Sequence, residues 1–204
     1  PTARRFGLPR EWEHKGIRRY GFHGLSYQYV AARLKKLAPN EAHGRILIAH
    51  LGNGASLCAL RNGQSIDTTM GFSTLDGLVM GSRCGALDPG VIFYLLRQGM
   101  DPSAVEDMLY MRSGLLGVSG ISSDMRALLA STDSGAEDAV ELFVFRVARE
   151  AAALAMSMGG LDGLVFTAGI GERSAEIRRR ICDRLSWLGL SLDAAANASG
   201  QLEI

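Results

Sequence analysis

The chain reads as an α/β protein built on a mixed sheet flanked by helices, and three observations carry that reading. Short apolar runs with turn signals between them cluster in residues 45–70, as strands and hairpins do. Two Asp-Pro helix starts and a long stretch of helical period occupy the middle of the chain. A strand, a glycine turn and another helix then follow, and this order of elements indicates a mixed sheet with helical cover.

The elements can be justified in turn. The opening PTARRFGLPREWEHK (1–15) has no clear period and reads as a link between domains. Arg45–Leu51 (RILIAHL) is short, apolar and bounded by Gly44 and Gly52, which predicts a buried strand. Ala55–Arg61 predicts a second strand. Asn62-Gly63 predicts a tight hairpin, because both residues tolerate the positive φ of a type I′ turn. Gln64–Met70 returns as a more polar strand.

Asp88-Pro89 and Asp101-Pro102 each set an N-cap carboxylate before a proline at the first helical position. Gly99 and Gly114 are expected stops. Ala136–Met158 carries Val140, Phe143, Val147, Ala151 and Leu154 at spacings of three and four, which predicts one long helix. Leu161–Ala168 reads as a buried strand and Ser174–Leu185 as a helix after a Gly-Ile-Gly loop.

Bulk properties narrow the function. A chain of 204 residues that is 47% hydrophobic and 21% charged can build a real core. A formal net charge of +1 favours neither nucleic acid nor a membrane surface as partner. The three cysteines are odd in number and lack CxxC spacing, so a reducing, cytoplasmic setting is expected. No apolar run reaches the roughly 18 residues of a membrane-spanning helix. Neither GxxxxGK[ST] nor a GxGxxG opening a βαβ unit occurs, which removes the P-loop and Rossmann sites. The start at Pro1 and the end soon after a turn give the expectation that both ends are cut.

Several stretches could carry chemistry. Gly52-Asn53-Gly54 reads either as an ordinary turn or as a cradle of bare amides for phosphate, with Asn53 adding a donor. Arg83, between glycines in MGSRCG, is either a solvated cation or a fixed guanidinium for a carboxylate or phosphoryl group. His23, between Gly21 and Gly24, is either a packed ring or a donor to a transferring group. Gly169-Ile170-Gly171-Glu172-Arg173 reads as a βα loop that a ligand could approach at a strand's carboxyl end. Asp124, in SSDMR (122–126), could be only a helix cap.

Taken in order, RRYGFHG, HLGNGAS, DTTMGFSTLDGLVMGSRCGALDPG, GVSGISSDMR and VFTAGIGER closely resemble the acetate kinase family, over roughly residues 17–190. The resemblance implies an RNase H-like lobe of the actin-like ATPase and sugar kinase superfamily. It implies reversible transfer of the γ-phosphoryl group of Mg·ATP to acetate, giving acetyl phosphate and ADP. Propionate or butyrate is the alternative acceptor.

By position, the resemblance makes His23 and Arg83 catalytic. It gives the phosphate hairpin to His50, Leu51, Gly52, Asn53 and Gly54. It gives the nucleotide cleft to Asp124, Met125, Arg126, Gly169, Ile170, Gly171, Glu172 and Arg173. The expected domain map is an inter-lobe linker over 1–15 and a C-terminal, nucleotide-side lobe over 16–204, trimmed at its end, with the N-terminal lobe absent. Magnesium ligands are then expected outside this chain, with a homodimer formed through this lobe. The lobe alone is expected to be an inactive nucleotide-binding or dimerisation module. The chain departs from the family pattern at Tyr27, where a GTSH motif has histidine, at Ala86, where many members are acidic, and at Arg173, where GIGEN has asparagine.

Overall fold

In the computed structural model, which describes residues 2–204, two helices come first: α1 (Arg10–His14) and α2 (Gly24–Leu37). Strands β1 (Arg45–Leu51), β2 (Ala55–Arg61) and β3 (Gln64–Thr68) follow. A long irregular segment leads to α3 (Pro89–Arg97), α4 (Pro102–Met111), α5 (Gly114–Ser119), α6 (Met125–Ala130) and α7 (Ser134–Met158). The chain ends with β4 (Gly163–Thr167), α8 (Ala168–Arg173), α9 (Ala175–Leu185) and α10 (Ala194–Ser199). The four strands form one sheet in the order β3-β2-β1-β4, with β1 antiparallel to β2 and parallel to β4. This is the mixed sheet with helical cover that the sequence predicts.

Strand period decides where the core sits. Side chains alternate across a sheet, so the two faces of β1 take different partners. Leu47, Ala49 and Leu51, with Leu57 and Ala59 of β2, join Val140, Phe143 and Val147 of α7 and Ile177 and Ile181 of α9. Ile46 and Ile48, with Cys58 and Leu60, pack on Tyr27 and Val30 of α2. His50 and Ser56 lie opposite each other in the β1–β2 register and continue this second face to the strand end.

The caps follow the expected chemistry. Asp88 accepts from the Gly90 amide, Asp101 from Ser103, and Asp133 from Gly135 at 2.8 Å. Asn62 and Gly63 take φ of 53° and 72°, as the hairpin requires.

Several details differ from the expectations. Residues 1–15, which show no clear period in sequence, hold the short helix α1. Gly114 does not simply stop a helix; at φ 63° it begins α5. The Gly169–Arg173 stretch is helical (α8) and not an open loop, because Ala168 turns the chain at φ 66° and Glu172 reaches back to the Ala168 amide at 3.1 Å. Helix α2 was unforeseen. The strands read as Gln64–Met70 and Leu161–Ala168 are shorter at their ends, and the long helix begins two residues earlier, at Ser134.

Phe143 is fully buried between α7 and the sheet. Phe143→Ala is expected to lower unfolding free energy by ~3–5 kcal/mol through lost burial and a residual cavity, measured as a reduced urea midpoint.

Candidate active site

The site begins where β1 runs out. Gly52, Asn53 and Gly54 turn the chain from β1 into β2, and the turn is closed internally by the Gly52 amide donating to Gly54 O at 3.1 Å. That engages one of the amides expected to face phosphate. The amides of Asn53 and Gly54 find no acceptor among the described residues. Gly81 N donates to Asn53 O at 3.0 Å and so fastens the turn to the segment carrying Arg83.

That segment has no regular structure, but it is held at many points. Leu115 N and Leu116 N, in the first turn of α5, donate to Met80 O and Gly81 O at 2.9 Å each. Ser113 N donates to Ser82 O, and Met80 N to Arg83 O. A methyl group at Gly114 would press on Arg83 O and N at 2.8 and 2.9 Å, so this glycine is required by close approach. The half-buried Arg83 guanidinium donates to Thr74 O at 3.3 Å and has no carboxylate partner among the described residues.

His23 reaches the same place from the other side. It precedes α2 in the left-handed conformation, φ 60°. Its ring stacks on His50 with centroids 4.0 Å apart, and its Nδ1 bonds Ser56 Oγ at 2.8 Å. Tyr27 Oη bonds the same Ser56 oxygen, and Ser26 Oγ bonds His50 Nδ1 at 2.8 Å. A methyl group placed on Gly54 would stand 3.4 Å from His23 Nε2 and 3.8 Å from Arg83 Nη1. The two side chains therefore converge on the bare backbone of Gly54.

The other predicted residues line the surroundings unevenly. Ala168 Cβ and the Gly169 amide lie 3.5 and 4.0 Å from where a Cβ on Gly52 would be, so the start of α8 abuts the turn. Ile170 and Gly171 turn inward, Ile170 packing partly on the core and Gly171 buried, while Glu172 and Arg173 are exposed. Glu172, within α8, reaches back and accepts from Thr167 Oγ1 at the N-cap and from the Ala168 amide. Asp124 caps α6 and grips Arg126, while Met125 is buried in the core. The link from this segment to the turn runs through Ser123, whose Cβ is 3.4 Å from a Cβ position on Gly81. Leu51 is core.

Charge is distributed unequally. Burial, then the neighbouring His50 and Arg83, hold the His23 imidazole down at about 4 against an ordinary 6.5. Burial also lowers His50, opposed by Glu172. Hydrogen bonding from Arg126 holds Asp124 at about 2. At neutral pH the site therefore offers one permanent cation, Arg83, beside two neutral imidazoles. Among the described residues no three His, Cys, Asp or Glu side chains gather, and the side chains meeting at Gly54 are imidazoles and a guanidinium rather than the one or two carboxylates that magnesium takes, so they do not by themselves fit that ion.

Sequence reasoning missed Ser56 altogether and treated Tyr27 only as a departure. The available signal was a hydroxyl in an otherwise apolar strand, two residues past a Gly-Asn-Gly turn. It also missed Arg19, which ties residues 68, 69 and 76 together through Thr68 O, Thr69 O and Asp76.

Comparison with known proteins is consistent along the chain. A family model described as the Acetokinase family matches residues 1–203. An acetate kinase of Rhodopseudomonas palustris is 61% identical over 200 residues, covering 97% of this chain and 50% of that protein. The solved acetate kinase of Porphyromonas gingivalis superposes with a TM-score of 0.93 at 36% identity, over 98% of this chain and 52% of that one. A solved propionate kinase from Francisella tularensis gives 0.91 at 41% identity, over 97% and 52%. The chain spans about half the length of these relatives. Among the described residues no helix is long and apolar enough to cross a membrane.

The lowered imidazoles have a measurable consequence. The folded chain binds these protons less readily than the unfolded chain, so stability holds above about pH 6.5 and declines as pH falls from there towards about 4. NMR titration of the His23 ring is expected to show a midpoint near 4, and urea midpoints should drop across that window.

Proposed function

The chain belongs to the acetokinase family, and from that premise we propose that the whole protein transfers the γ-phosphoryl group of ATP reversibly to acetate. A carboxylate oxygen of acetate attacks the γ-phosphorus in line with the bridging oxygen. The new P–O bond forms as the bridging P–O bond breaks, and acetyl phosphate and ADP leave. Such a transfer asks for positioning and charge stabilisation rather than covalent help from the protein.

The observation that carries the proposal is the meeting of His23 Nε2 and Arg83 Nη1 over Gly54, beside the unengaged amides of Asn53 and Gly54. The amides take oxygens of the nucleotide phosphates. Arg83 and His23 take the equatorial oxygens of the group in flight, where negative charge must be held without reorganisation. Parallel β1 and β4 both end here, and open α/β sheets receive ligands outside the carboxyl ends of their strands. Asp124 and Arg126, with residues Gly169–Arg173 of helix α8, form the adenosine side of the cleft, and Met125 anchors the first of these segments in the core. Magnesium accompanies the nucleotide and takes its ligands from groups outside this cluster.

Propionate is the second reading, favoured by the likeness to a solved propionate kinase. An apolar pocket separates acids differing by one methylene by only ~1–3 kcal/mol. We also assign a cytoplasmic setting, supported by three cysteines that form no disulfide. A homodimer through this lobe is supported by α3, which buries none of its residues and leaves Val91, Phe93, Tyr94 and Leu96 exposed.

Two outcomes are expected. The full-length protein should form acetyl hydroxamate from acetate, ATP and hydroxylamine, and Arg83→Ala should lower kcat by on the order of 10²–10³. No product with acetate or propionate would refute the activity. Gly54→Ala separates site from scaffold: its methyl group makes only ordinary contacts, at 3.4 and 3.8 Å. Unfolding free energy should be unchanged or raised by ~0.4–1 kcal/mol, while turnover falls on the order of 10²-fold because the reacting group is displaced.

A further inference from the structure

The hydroxyl pair behind His23 has a direction, and that direction determines where the imidazole carries its proton. Tyr27 is 7% exposed and Ser56 0%. The Tyr27 phenol has one proton to donate, and its direct hydrogen bond is to Ser56 Oγ; the Thr68 hydroxyl, which gives its own proton to Leu57 O, is the next oxygen that bears on it. Burial pushes this phenol well above its ordinary range, so it stays protonated. Were Ser56 to donate to Tyr27 instead, the buried phenol proton would lose its direct acceptor and be left with Thr68 Oγ1, which makes no direct hydrogen bond to it among the described residues. Ser56 therefore accepts from Tyr27 and has a single proton of its own, with His23 Nδ1 at 2.8 Å as the other partner.

We propose that Tyr27 and Ser56 are positioning residues that hold neutral His23 as the Nε2–H tautomer, with its N–H aimed at the space over Gly54 beside Arg83. The assignment rests on the reading of His23 as a donor to the transferring phosphoryl group, and it deepens that reading. An Nδ1–H tautomer would present a lone pair to the anion and repel it. The stacked His50 supports the ring from its face and leaves the proton to the hydroxyl pair. His50 has no such pair, since its Nδ1 meets Ser26 Oγ alone among the described side chains. A substrate-facing N–H is thus selected before any ligand arrives, as a preorganised donor should be.

The test is ¹⁵N spectroscopy of the full-length protein labelled at histidine, at pH 7, with the His23 signals assigned by their loss in His23→Gln. The expected result is a His23 Nδ1 shift of the unprotonated type and an Nε2 shift of the protonated type. Tyr27→Phe keeps the ring and its packing but lets Ser56 turn, and the Nδ1–H population should rise. In the same variant kcat should fall in proportion to the surviving Nε2–H fraction, on the order of tenfold, with KM little changed. A wild-type Nδ1–H ring overturns the proposal, and this measurement needs no variant to fold. A folded Tyr27→Phe protein with an unaltered tautomer ratio overturns it as well. A tautomer shift with unchanged kcat upholds the relay and instead removes His23 from phosphoryl transfer.

Discussion

A strand with both faces buried needs cover on both sides, and β1 obtains it from α7 and α9 on one face and α2 on the other. The rest of the structure depends on this double seating. It sets the register, because a slip of one residue would carry His50 into the apolar layer beneath α7 and lift Leu51 out of it. It also sets the direction in which α2 enters, since Tyr27 and Val30 must reach Ile46, Ile48, Cys58 and Leu60. With α2 fixed, His23 at its start is placed over the end of β1. The proposed site sits where the apolar packing ends and backbone amides become available.

Much of this was legible in the sequence, for physical reasons that can be named. β1 and β2 stand out as short apolar runs, and Asn62-Gly63 as a turn that needs positive φ at both positions. Asp88 and Asp101 announce helices by chemistry that operates locally, through a carboxylate and a proline. Helix α2 was not legible because its N-cap is His23, which makes no side-chain capping bond. Its apolar residues are also split, with Tyr27 and Val30 buried and Leu25 and Tyr29 exposed. Helix α8 was hidden because two of its six residues are glycine, a composition that reads as a loop. At the site, His23, Gly54 and Arg83 could be named singly, but their convergence is a tertiary fact. Ser56 escaped because a serine in a strand is silent until its neighbours across the sheet are known.

The electrostatics of the cluster follow from crowding. Two imidazoles stacked at 4.0 Å with a guanidinium close by could not all be charged in a half-buried setting. Arginine keeps its charge under these conditions, so the histidines give theirs up. The result is a single fixed cation with a neutral N–H donor beside it. Such a cluster keeps its side chains together without the mutual repulsion that charged rings would bring. The same compromise leaves the cluster vulnerable to acid, because protonating either ring restores the repulsion that burial had removed.

Backbone strain identifies the same place independently. Among the described residues, the non-glycine positions with positive φ are His23, Asn62 and Ala168. Asn62 is explained by its hairpin, where asparagine tolerates the left-handed region. The other two have no such excuse, and each costs about 1–2 kcal/mol relative to ordinary backbone. Both abut the Gly52–Gly54 turn: His23 Nε2 lies against Gly54, and Ala168 Cβ against Gly52. Strain of this kind persists only where surrounding contacts over-determine it. Those contacts are the Ser56 bond and the His50 stack for His23, and the Glu172 reach-back for Ala168. A relaxed backbone at His23 would swing its ring off Ser56 and away from Arg83. The strained conformation is therefore what keeps the His23 ring and the Arg83 guanidinium facing one point, over a backbone with no side chain in the way.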